Sequence, residues 1–135
     1  MTGRIPRKER NRTTYTVYIK KAEQFFSAME SSLVKKQFDS TALEGIHCII
    51  STIDALLIYR GSIVSASAKH EDAVKLLTEI WDLEDVNEAA KHAFRVLKLK
   101  TDVEYTDYQV TEKQAQELHK HTQRFFVWAK TKLPK

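Results

Sequence analysis

Apolar side chains recur along the first third of the chain at gaps of three and four. Tyr15, Tyr18, Ile19, Ala22, Phe25, Phe26, Met29 and Leu33 form one such stripe, with Lys20, Lys21, Glu23 and Glu30 set against it. That spacing is one face of an α-helix, and Thr13 or Thr14 is the expected cap of its free N–H groups. Residues 35–40 break the pattern. A second stretch, Leu43 to Gly61, carries Leu43, Ile46, Ile49, Ile50, Ile53, Leu56, Leu57 and Ile58. Its apolar arc is too wide for a helix that meets water on one side, so the remaining segments are expected to pack around it. Asp39, Ser40 or Thr41 would cap it, and Gly61 would supply a left-handed end.

Residues 62–68 are small and polar and read as a loop. Ser67 then caps a short helix through Trp81, with Ala73, Val74, Leu76, Leu77 and Ile80 inward. Asp82 is the expected cap of a fourth helix whose inner face is Val86, Ala89, Ala90, Ala93, Phe94, Val96 and Leu97. Residues 101–110 read as a charged, tyrosine-bearing loop. Thr111 and Gln114 form a capping-box pattern that opens a last helix with Ala115, Leu118, Phe125, Phe126, Ala129 and Leu133 inward. No segment alternates with period two for long enough to predict a sheet. The reading is an all-α single domain over residues 14–134, preceded by a basic arm over residues 1–13.

Composition adds little to that picture until charge is mapped. Three glycines and two prolines among 135 residues favour long helices and short loops. The lone Cys48 excludes an internal disulfide and reads as a small core hydrophobe. Thr52 and Asp54 interrupt the longest apolar run, so no membrane span is expected, and no signal-peptide core follows the basic N-terminus. A cytoplasmic protein is the expectation. The net charge of +4 is concentrated in Arg4, Arg7, Lys8, Arg10 and Arg12, with Glu9 the only acid among them. These five cations are either a phosphate-binding arm for RNA or DNA or a solvated terminus.

The run YIKKAEQFFSAMESSLVKKQFDSTALEGIHCIISTIDALLIYRG, the His-led HEDAVKLL and the downstream KLKTDVEYTDYQVTEKQAQELHKHTQRFFVWAKTKL follow in order. In helix order this chain resembles the HEPN domain family over about residues 15–133. The resemblance implies an up-and-down bundle of four main helices plus one short helix, often paired as a homodimer. It also implies a setting in RNA metabolism or defence, beside a small nucleotidyltransferase or as a ribonuclease of toxin–antitoxin type. Catalytic members carry an Arg, a polar residue and, a few residues on, a His. Here Lys98 or Lys100 stands where the Arg belongs, and Glu104 or Tyr105 takes the place of the His. Glutamate repels phosphate and Lys lacks the bidentate fork of Arg, while Arg95 has no His within reach along the sequence. The motif reads as absent. The expectation is a non-catalytic module acting through protein–protein or RNA-related contacts, with a divergent ribonuclease using Lys98 or Lys100 with His70 or His92 as the alternative.

Other candidate groups read as structural. His119 and His121 lie two apart, on different helix faces, and His47, His70 and His92 come from three other segments, so no metal site is expected, nor any cofactor. His70 is expected to hold a loop or helix end. Asp54, on the apolar helix, must be paired (Arg60, Lys69 and Lys98 being available), exposed at an edge, or functional. Glu44 is expected to answer the helix dipole. Tyr105 and Tyr108 could stack on bases, but Asp102, Glu104 and Asp107 beside them favour packing on the bundle or on a second subunit.

Overall fold

In a computed structural model that describes residues 4–104 and 107–135, one apolar helix runs through the middle of the domain. Among the described residues two short strands and six α-helices succeed each other. They are β1 (Arg7–Glu9), α1 (Tyr15–Val34), α2 (Phe38–Gly61), β2 (Ile63–Ser65), α3 (His70–Ile80), α4 (Glu84–Lys98), α5 (Lys100–Glu104) and α6 (Glu112–Lys132). The fold is all-α. Thirteen residues of α2 are buried, including Ile46, Ile49, Ile53, Leu56, Leu57 and Ile58, because α1, α3, α4 and α6 all pack on it. By length and mean hydropathy α2 does reach the membrane-spanning range, contrary to the expectation from Thr52 and Asp54. Its burial among the other helices explains the same composition as a core rod. Thr52 avoids an unsatisfied hydroxyl by donating to the Cys48 carbonyl at 2.7 Å.

Close approach of α2 to α1 and α6 depends on Gly45. A Cβ there would drive into the Leu118 side chain and press on Met29 Sδ at 3.0 Å and Thr122 Oγ1 at 3.2 Å. On the other flank Glu44 accepts a hydrogen bond from Ser32 at 2.7 Å. It therefore ties α2 to α1 as well as sitting near a helix start.

Several expected caps are displaced. Asn11, not Thr13 or Thr14, accepts from the Thr13 N–H and starts a 3-10 turn at Arg12–Thr14 that leads into α1. Helix α2 begins at Phe38 with Gln37 at its cap position and no side-chain cap; Asp39 falls inside the first turn and accepts instead from the Val110 N–H 71 residues away. Ser62, rather than Gly61, takes the left-handed conformation after α2, at φ 54°. Leu83, not Asp82, occupies the cap position of α4 and offers no side-chain bond. Ser67 accepts from Lys69 N–H and donates to Asp72 at 2.6 Å, bracing the entry to α3 from just outside it. The capping box of Thr111 and Gln114 forms as its sequence pattern predicts. The expected loop at 101–110 contains the single turn α5.

The largest departure is at the N-terminus. Residues 7–9 are a strand, paired antiparallel with β2 in the register Arg7↔Ser65, Lys8↔Val64 and Glu9↔Ile63. Arg10 N–H and Ala66 N–H extend the ladder to Ser62 and Pro6. The expected flexible arm is therefore a strap over this part of its length. A period-two pattern three residues long is too short to be seen against helical neighbours.

Candidate functional site

Helices α4 and α6 pack against each other with polar side chains at their seam. Small inward residues, Ala89, Ala90 and Ala93, let the two backbones approach. That brings His92 of α4 to His121 of α6, with Nδ1 to Nδ1 at 2.9 Å and ring centroids 5.1 Å apart. Two acceptors cannot sit that close unshared, so one Nδ1 carries a proton and the other receives it. The Glu117 carboxylate lies 3.7 Å from His121 Nε2, one helical turn before it. It favours a proton on that nitrogen, which makes His121 Nδ1 the acceptor and His92 Nδ1–H the donor. His92 Nε2 is then left with a free lone pair.

Electrostatics keep both rings uncharged. Burial lowers the His92 pKa first, and Arg124, Arg95 and Lys120 lower it further against the pull of Glu88. Burial likewise lowers His121, followed by His92 itself, Arg95 and Lys120, with Glu117 opposing. Glu117, held by Lys120 at 3.1 Å, stays ionised with its pKa lowered. The seam is thus a neutral imidazole pair inside a shell of three cations and two carboxylates. A general base must be unprotonated at working pH, and His92 is so disposed.

The pair lies between two concavities. A groove of about 1010 Å³ runs along one side, bounded by α4 from Leu83 to His92 and by α6 from Gln123 to Trp128. On the other side a cavity of about 430 Å³ is lined by Arg95, Lys98, Asp102, Glu117 and His121 among others. Arg95, which no His follows within a few residues, shares a cavity wall with His121. The sequence reading missed this because 26 residues and a helical turnaround separate them. The missed signal was an i, i+3 His–Arg pair on α4 (His92, Arg95) matched by another on α6 (His121, Arg124).

The other candidate residues lie elsewhere. His70 lines a separate cavity of about 90 Å³ with Asp54, Ser65, Ser67 and Lys69, so His70 and His92 do not converge. Lys98 reaches toward the site but also lies over the Phe94 ring at 5.9 Å; Lys100 opens α5. Tyr108 packs on the core and accepts from Gln114 Nε2 at 2.8 Å, and Tyr105 lies outside the described residues. Burial raises the Asp54 pKa to about 6, opposed by the charge of Arg10. Among the described residues none of Arg60, Lys69 or Lys98 pairs with it: Arg60 lies over the Trp81 ring at 5.4 Å instead. His119 pairs with Glu30 at 3.1 Å and His47 stacks on Phe25.

In the basic segment, Arg7 donates to the Ile5 carbonyl at 3.1 Å and reaches Glu79 at 3.9 Å. Arg12 donates to the Tyr59 carbonyl and covers its ring at 4.4 Å. Arg4, Lys8 and Arg10 are exposed.

The HEPN domain family model matches residues 15–132. This chain belongs to the HEPN family. The match spans every main helix from α1 to α6 and leaves only the strap and the last residues outside. No curated protein and no solved structure gives a significant match.

Proposed function

We propose that this HEPN protein acts on RNA at the seam of α4 and α6, with His92, held in place by His121, engaging the ribose of one linkage. The observation that carries the reading is the 2.9 Å contact between two imidazoles held neutral beside Arg95, Arg124 and Lys120. His92 Nε2 accepts the proton of a ribose 2′-hydroxyl. The freed oxygen bonds to the adjacent phosphorus, the bond from phosphorus to the 5′-oxygen breaks, and the leaving 5′-oxygen takes its proton from solvent water. Arginine is suited to the charge that builds on the phosphorane. Glu117 and His121 act as positioning residues that hold His92 in the tautomer a base requires.

A second reading has its own support. Glu88, Glu117 and Asp102 crowd the same seam, and acids beside a phosphate weaken its binding. The chain would then be a non-catalytic HEPN module, paired as a homodimer through this face or docked on a partner such as a nucleotidyltransferase. End-labelled single-stranded RNA, incubated with the pure protein in buffer containing EDTA and again with magnesium, separates the two. Cleavage that disappears in both His92→Gln and His121→Gln supports the catalytic reading. Intact RNA under both conditions, with a protein that sediments as a dimer, supports the module.

A further inference from the structure

The strap β1 lies outside the stretch that the family model matches, and one of its two edges is open. The inner edge is fixed by the ladder to β2. Arg10 N–H donates to the Ser62 carbonyl at 2.8 Å, Ala66 N–H donates to the Pro6 carbonyl at 2.8 Å, and Lys8 stands opposite Val64 between them. Antiparallel strands bond through alternate residues. Residues 6, 8 and 10 therefore turn their main-chain groups to β2, while Arg7 and Glu9 aim theirs the other way. Among the described residues nothing pairs with the Arg7 N–H, the Arg7 carbonyl or the Glu9 N–H. The Glu9 carbonyl accepts only from the exposed Arg10 side chain, at 2.9 Å.

An open strand edge is a template for another extended chain, and charge narrows the choice of chain. Arg4, Lys8 and Arg10 are exposed around this edge, and Glu9 is the one acid in the segment. A second copy paired antiparallel through the strap would set Lys8 against Lys8, and like charges directly opposite each other repel. A phosphate backbone offers oxygens to the cations and N–H groups but has no donor for the Arg7 carbonyl. An extended peptide supplies donors and acceptors in alternation. With carboxylates at every second position it also answers Lys8 and Arg10, which lie two residues apart.

We infer that β1 is a docking edge at which an acidic, extended segment of a partner protein adds as a third strand, its carboxylates opposite Lys8 and Arg10. This surface is separate from the α4–α6 seam and stands whether or not the RNA reading holds.

The test uses the full chain and fluorescence anisotropy with labelled peptides blocked at both ends. The first alternates glutamate with threonine or valine. The second carries lysine for each glutamate, and the third is the first with its main-chain nitrogens methylated. The first is expected to bind about tenfold tighter than either of the others, the scale of a few cross-strand pairs. Glu9→Pro removes an outward donor and leaves the ladder to β2 intact, since proline is tolerated where the N–H faces away from the sheet. It is expected to weaken the acidic peptide about tenfold with an unchanged circular dichroism melt. Lys8→Glu combined with Arg10→Glu is expected to transfer the preference to the lysine peptide. Equal binding of the acidic peptide and its methylated form, unaltered by Glu9→Pro, reduces the attraction to charge and overturns strand addition. Failure of the acidic peptide to bind overturns the inference as well. If RNA binding is then lost in Lys8→Glu, the edge is a phosphate contact; if Glu9→Pro turns a dimer into a monomer, the edge belongs to a second copy.

Discussion

The two flanks of α2 and α6 are built on opposite terms. Where α1 meets α2, contact is close and dry: Met29, Ala42, Ile46 and Ile49 are shut away, and Gly45 has no room for a side chain. Where α4 meets α6, the seam holds two imidazoles, flanking cations and carboxylates, and it opens on both sides into cavities. A bundle needs the first kind of contact to fold. The second kind spends potential burial on polar groups that each require a partner, which marks it as the part of the molecule kept for another purpose.

The sharpest way to break that contrast is to change each side and ask which property moves. At the seam, His92→Gln and His121→Gln should each reduce RNA cleavage by about 100-fold or more, in the range expected for loss of general-base chemistry, with modest change in melting temperature. A loss of stability equal to that of a core mutant, with cleavage unaltered, would show the pair to be a strut. On the dry side, Gly45→Ala should lower stability by about 1–3 kcal/mol, because Leu118, Met29 and Thr122 must all give way. Urea denaturation followed by far-ultraviolet circular dichroism measures it, and a midpoint unchanged from the parent would show that the contact yields freely.

The same contrast explains what could be read from the chain. The dry side was legible: a wide apolar arc on α2 and three-four stripes on its neighbours carry their own message, since burial is a property of single segments. The capping box at Thr111 was legible for the same reason. The seam was not. His92 and His121 meet only because α4 and α6 run side by side, and no spacing within either helix records that contact. Asp39 misled for a related reason, since it has the chemistry of a cap but bonds Val110 of a distant loop from inside the first turn. The strap β1 was hidden by its brevity, and the basic segment read as a phosphate-binding arm or a solvated terminus, whereas Arg7 and Arg12 bind the fold.

Asp54 sharpens the comparison from a third side of α2, toward β2 and α3, as a carboxylate that burial penalises. Its folded pKa, about 6, exceeds the ordinary 3.8. The folded state therefore binds more protons than the unfolded one between those values, and stability falls as pH rises through the interval. Asp54→Asn should stabilise the protein at pH 7.5 by on the order of 1 kcal/mol, allowing for the partial exposure of the carboxylate and the lost attraction of Arg10. The gain should shrink toward zero near pH 4. Thermal melts of both proteins across that range test it, and a gain that persists at pH 4 would assign the effect to something other than ionisation.

Thr122 offers the smallest and most local test. It follows His121 on α6, is fully buried, and its hydroxyl is the one buried side-chain group among the described residues without a hydrogen-bond partner. An unmade bond in the interior costs its desolvation, whereas a methyl of the same shape costs nothing of the kind. Thr122→Val should therefore raise stability by about 1 kcal/mol or less while leaving the imidazole pair in place. If RNA cleavage is retained as the melting temperature climbs, the hydroxyl has no part in the seam's chemistry and belongs with the dry side. If cleavage falls while the fold tightens, the polar seam extends inward past His121, and the division between the two flanks must be redrawn through Thr122 toward Gly45.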